Sequence, residues 1–174
     1  MANTFELIAS STVGSGGAAN INFTSIPATF TDLQVVASLR TDGTFGNFFY
    51  DSYITVNGTD LSWRDLIGIG TATPTSRNGT TEFVALGVTS SSATASTFGN
   101  LSIYIPNYAN TSYNKSVSMD TVSEHNGSDA AKQISSGLYA SNSAITSITI
   151  TPYNSPTVKF AQYSSAYLYG IKNS

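Results

Sequence analysis

Cysteine is absent from the 174 residues, which removes disulfide frameworks, thiol nucleophiles and cysteine-based zinc sites together. Charge is scarce as well. Asp, Glu, Lys and Arg make up 10% of the chain, against about a quarter in average usage. The seven cations are scattered and the net charge is −3, so the basic footprint that nucleic acid requires is missing and no nucleic-acid partner is expected. No apolar run approaches the ~18 residues that a membrane-spanning helix needs. The opening MANTFELIAS has neither a basic segment nor a sustained apolar one, so no signal peptide and no membrane association are expected. Such a chain is made in a cytoplasm and, if exported, leaves by another route. Sustained helical periodicity is also lacking.

Ser, Thr and Asn fill the gap, at roughly a third of the residues, well above ordinary usage. Aromatic residues at 11% and regular Val, Ile and Leu spacing argue against disorder. An uncharged polar surface suits short strands joined by side-chain-capped turns. It also suits a subunit held in an assembly, which need not stay soluble by charge repulsion.

Alternation of apolar and polar residues dominates the chain. Its longest run lies within Ile26–Thr41, where Leu33, Val35, Ala37 and Leu39 share one side and Gln34, Ser38 and Arg40 the other. Period two over eight residues marks a strand with one face in a core. Phe5, Leu7 and Ala9, then Ala19, Ile21 and Phe23, flank a Gly-rich turn, so 5–23 reads as an N-terminal hairpin or as an arm exchanged with a neighbour. Tyr53–Asn57 reads as a strand ending at Asn57-Gly58. Thr59–Ile67 offers the single credible helical turn, capped by Thr59 or Asp60 and pinned by Leu61, Trp63, Leu66 and Ile67. Residues 68–81, rich in Gly, Thr and Ser, read as a long surface loop. Glu82–Thr89 is almost fully apolar, as for a strand buried on both faces. Further strands are expected over 98–106, 115–122, 132–140, 145–151 and 163–172, with a register change or late start at Ile145. The expected fold is all-β: one antiparallel sandwich domain over 1–174, of about 8–10 strands at the usual spacing.

Chemistry finds little purchase. His125 is the only histidine and sits in Ser123-Glu124-His125-Asn126-Gly127, which reads as an exposed turn. Asp120 and Asp129 are in range of a triad, but no nucleophile elbow of the G-x-S-x-G type accompanies them. Glycoside cleavage needs two acids at a fixed separation. Asp42, Asp51, Asp60 and Asp65 lie near aromatic residues, yet most adjoin Gly, Ser or Thr, where Asp serves turns and caps. Neither Asp42-Gly43 nor Asn57-Gly58-Thr59-Asp60 continues into a calcium-loop pattern. No catalytic residue, cofactor or metal ligand is therefore expected. Trp63 reads as core, and Arg40 and Arg64 as surface or pair-forming charges.

The sharpest candidate for a working surface is the aromatic run Phe45, Phe48, Phe49, Tyr50 and Tyr53. Phe48 and Phe49 are adjacent, so in a strand they point to opposite faces and one leaves the core. Three roles are open to the run: a strand covered on its second face by the 59–67 turn, a subunit interface, or a platform on which sugars stack.

Four phrases, taken in order, carry a resemblance. They are IPATFTDLQVVASLRT (26–41), IPNYANTSYNKSVS (105–118), SAITSITI (143–150) and SSAYLYGIK (164–172). Together they resemble the jelly-roll-like structural modules of tailed bacteriophage virions, which occur as head decoration or cement proteins and as appendage domains. The resemblance leaves out 45–53 and 68–81. It implies a jelly-roll fold, a virion location and no catalytic motif. The expectation that follows is a capsid decoration protein that binds the major capsid protein or other virion proteins, as a homo-oligomer or in many symmetric copies. A tail or fibre component gripping host surface glycan is the alternative, and a glycan hydrolase acting through an acid such as Asp51 or Asp65 a third.

Overall fold

The computed structural model describes residues 4–44, 49–124 and 130–172. Twelve strands and no helix are found among them: β1 (Phe5–Thr12), β2 (Ile21–Phe23), β3 (Asp32–Leu39), β4 (Phe49–Val56), β5 (Ser62–Ile69), β6 (Thr75–Gly79), β7 (Phe83–Thr89), β8 (Gly99–Ile105), β9 (Lys115–Ser123), β10 (Ala131–Tyr139), β11 (Ile148–Pro152) and β12 (Ser165–Ile171). They form two antiparallel sheets, one of eight strands in the order β1-β12-β3-β8-β9-β10-β5-β6 and one of four in the order β2-β11-β4-β7. The chain is a β-sandwich, as its alternation predicts.

Three local expectations are corrected. The 59–67 segment is no helical turn: Leu61, Trp63, Asp65 and Ile67 are buried while Arg64 and Leu66 are exposed, and the segment feeds strand β5. Its period of two was disguised because a charged residue, Asp65, occupies one inward position. The 68–81 stretch is not all loop, since β6 pairs with β5 from Trp63 opposite Gly79 to Ile67 opposite Thr75. The 5–23 stretch is no hairpin. β1 pairs with its own chain's β12 and β2 with β11, so the Gly-rich turn carries the chain from one sheet to the other.

β3 lies between β12 and β8, inside the larger sheet. Its Leu33, Val35, Ala37 and Leu39 fill one continuous core with Leu101, Ile103 and Ile105 of β8, Val117 and Met119 of β9, and Ala166 and Leu168 of β12. Burying each of the valine, leucine, isoleucine and methionine side chains contributes about 1.5–3 kcal/mol. Ile148 starts β11, while Ile145 is buried ahead of the strand with its amide bonded to Tyr108 O, which accounts for the change of parity there.

β7 is buried at every residue although it is the edge of the smaller sheet. It crosses above β8, β9 and β10, and the backbones meet where glycine permits. A Cβ placed on Gly99 would lie 1.8 Å from Gly87 O. The larger sheet then continues two strands further, through β5 and β6, so that Ile67 and Ile69 pack with Leu86.

Polar side chains hold the connections. Arg40, expected as a surface or pair-forming charge, donates instead to four carbonyl oxygens of one loop: Ser91, Ala93, Thr94 and Thr97, at 2.9–3.2 Å. Lys115 is buried and donates to the carbonyls of Ser143 at 2.7 Å and Ser141 at 3.3 Å; burial lowers its pKa. The Asn57-Gly58 turn has both φ values positive, at 51° and 70°, the conformation that Asn-Gly favours in tight hairpins. The Asn57 amide there bonds Thr146 N, Ser147 N and Ala144 O. Asp32 accepts from Tyr104 OH and Asn107 N, both at 2.8 Å.

Candidate functional site

The overhang of β5 and β6 beyond β7 leaves a cleft of about 590 Å³. One wall is Trp63, Ile67 and Ile69 of β5 with Thr75 and Arg77 of β6; the other is Tyr50, Asp51 and Tyr53 of β4 with Val84 and Leu86 of β7. Tyr153 and Glu82 stand at its mouth, both exposed. Strand pairing sets these positions. Thr151 is opposite Tyr53, so the chain leaving β11 carries Tyr153 over β4, and Tyr153 N bonds Asp51 O at 3.0 Å. The Tyr153 ring meets Tyr53 edge-on at 5.7 Å and Tyr50 at 6.3 Å. Offset and edge-to-face contacts of this kind stabilise a ring cluster.

The floor is a hydrogen-bonded chain of buried groups. Gln133 of β10 accepts from Leu86 N at 2.7 Å and donates to Val84 O at 2.9 Å, serving two backbone groups of edge strand β7. The same amide nitrogen donates to Asp65 Oδ2 at 2.8 Å. Asp65, its side chain fully buried, also receives Arg77 N at 3.0 Å and Arg77 Nη2 at 2.8 Å. Arg77 lies over the Trp63 ring at 5.6 Å. Trp63 is buried, as expected, donates through Nε1 to Thr81 O at 2.8 Å, and presses on the bare Cα of Gly79. A charged carboxylate with this many donors is stabilised in place, so Asp65 is a fixture of the floor.

Asp51 differs. Its side chain is half-buried in the cleft, and among the described residues no hydrogen bond reaches its carboxylate. Burial raises its pKa above the ordinary carboxylate value; the nearby Arg77 opposes the rise and Asp65 adds to it. The Tyr53 hydroxyl is pushed up as well, by burial first and then by the negative charges of Glu82 and Asp51. Tyr53 therefore stays a protonated donor and acceptor at any physiological pH.

Of the aromatic run, Phe45 and Phe48 lie outside the described residues. Phe49 opens β4. Tyr50 is core, 3% exposed, and also lines the cleft, whereas Tyr53 is half-buried on the cleft wall. Asp51 and Asp65 come together as neighbours in one site. Asp42, by contrast, accepts from Lys159 N, and Asp60 is exposed just beyond the Asn57-Gly58 turn. Asp120 pairs with Lys132 on an exposed sheet face, and His125 and Asp129 lie outside the described residues. Sequence reasoning missed Arg77, Glu82, Thr75 and Tyr153. The signal for the first was the alternation Thr75, Arg77, Gly79, opposite Ile67, Asp65 and Trp63.

No family model, curated protein or solved structure matches the chain.

Proposed function

We propose that this chain is a glycan-binding β-sandwich module of a phage virion, gripping host surface polysaccharide in the cleft between β4–β7 and β5–β6. One observation carries this: an open, strand-walled cleft presents tyrosine rings beside hydrogen-bonding groups, Tyr53, Asp51, Arg77 and Glu82. Sugars offer flat C–H faces to aromatic rings and hydroxyls to charged side chains, so rings and carboxylates side by side suit them. The module binds without cleaving. Of the acids that the sequence places near aromatics, only Asp51 and Asp65 meet here, and Asp65 is committed to Arg77 and Gln133. The virion location and the jelly-roll connectivity come from the family resemblance and stand as part of the same proposal.

Retention of purified protein on arrayed host polysaccharides tests it. Wild type is expected to bind, and Tyr153→Ala, which removes an exposed ring, to lose about tenfold or more in affinity. Retention on no glycan, or equal retention of both proteins, rejects the proposal.

A second role, capsid decoration, is favoured by the outer face of the larger sheet. Tyr167, Val36, Ser102, Asp120, Ile134 and Leu66 stand opposite one another across six strands, with a single charge among them. Four of the six are exposed apolar or aromatic side chains, the composition of a contact face for the major capsid protein or for further copies of the chain. Electron microscopy of labelled particles separates the two roles: hundreds of copies place the protein on the shell, a handful at the tail.

A further inference from the structure

We infer that the cleft selects glycans bearing free amines, with an ammonium group of a hexosamine seated between the Asp51 carboxylate and the rings of Tyr53 and Tyr153. This rests on the glycan-binding proposal and adds the chemical class of the sugar. Arg77 is the one cation on the cleft wall, and its charge is already balanced by Asp65 at 2.8 Å while its guanidinium covers Trp63. Two carboxylates line the cleft with no hydrogen-bonded or ion-paired partner among the described residues, Asp51 on the wall and Glu82 at the mouth. Their joint field reaches Tyr53, whose hydroxyl pKa is raised by burial first and then by these two charges. Such a cleft repels uronic and sialic acids and attracts cations.

Asp51 provides the specific contact. Its carboxylate is partly withdrawn from water and no described donor replaces that water. The cost of desolvating it is already built into the fold, so an arriving ammonium gains a charge-assisted hydrogen bond without repeating that cost. Adjacent tyrosine faces add a cation–π contribution. An N-acetylated sugar keeps the stacking and loses both charge interactions.

Calorimetric titration with three oligosaccharides of equal length tests this: glucosamine oligomers, their fully N-acetylated counterparts and oligogalacturonate. At pH 6 and low salt the glucosamine oligomer is expected to bind at least ~10-fold more tightly than the acetylated one, and the galacturonate not to bind. Asp51→Asn should abolish the preference, weakening the glucosamine oligomer far more than the acetylated one, with Glu82→Gln reducing the preference in part. Asp120→Asn, which removes equal charge from the opposite sheet face, should change nothing; an equal loss there would mean generic attraction of a polycation and would overturn the inference. Acetylated oligomers binding as tightly as free amines overturn the amine selectivity and leave the glycan-binding proposal standing. Binding of none of the three, with retention on another arrayed glycan, does the same. Binding of none and retention on no arrayed glycan overturns both.

Discussion

Gln133 accepts the amide hydrogen of Leu86 at 2.7 Å, although the two residues belong to different sheets. With its second contact, to Val84 O at 2.9 Å, the glutamine imitates a neighbouring strand and closes an edge that would otherwise present bare backbone groups. Gln133→Leu leaves Leu86 N, Val84 O and one bond to Asp65 unsatisfied, and a buried unsatisfied group costs about 1–3 kcal/mol. A loss of about 3 kcal/mol in urea unfolding is the expected outcome. A change below ~0.5 kcal/mol would show that water takes over these bonds.

Gly99 and Gly87 mark the tightest crossing of the two sheets. An alanine methyl at 99 would sit 1.8 Å from Gly87 O, and the obstruction is backbone rather than a side chain free to turn away. Gly99→Ala should therefore cost roughly 3 kcal/mol or more, at the upper end for overpacking. Thermal melting with Gly14→Ala as reference checks it, because a Cβ at Gly14 meets nothing within 4 Å.

Arg40 fastens residues 91–97 by four carbonyl contacts. Hydrogen bonds from a charged donor contribute about 1.5–3 kcal/mol, and this loop has few apolar anchors besides Ala93. Arg40→Met should free the loop. Limited proteolysis is expected to cut within 91–97 at least tenfold faster than in wild type, with Arg40→Lys intermediate because a single ammonium cannot span the same four acceptors.

Asp51 predicts a pH dependence of definite sign. Its pKa is raised in the fold, so the folded chain holds that proton more tightly than the unfolded chain. The contribution is fully present below the ordinary carboxylate pKa and is lost as pH rises through the raised value. Asp51→Asn should then be more stable than wild type at pH 7, by about 0.5 kcal/mol or roughly 1–2 °C, given the partial exposure of the site. The advantage should fade on acidification toward pH 3.5. Equal melting curves at pH 7 would contradict the desolvated placement of this carboxylate.

Legibility followed the placement of charge. β3, β8 and β12 could be read directly because apolar residues hold nearly all of their inward positions, and β9 through Val117 and Met119 at its centre. β5 and β6 escaped because Asp65 and Arg77 occupy inward positions and satisfy each other there, so the local pattern resembles a capped turn and a polar loop. The cleft was half visible. Tyr50 and Tyr53 were singled out as aromatic, and Asp51 and Asp65 as acids close to aromatics. Nothing local to Tyr153 or Arg77 announces a site, since both are delivered by pairing between strands: Thr151 with Tyr53, and Arg77 with Asp65.

The two sheets differ in width, eight strands against four, and the cleft occupies the step between them. Strands form most of both its walls, so a ligand meets a surface that is already ordered. Little conformational entropy of the protein is then lost on binding, and affinity can be retuned by exchanging side chains on β4 and β6 without rebuilding a loop. This separates two kinds of change. The core side chains that keep the sandwich folded face inward between the sheets, and the residues that set the shape and charge of the cleft sit on the step.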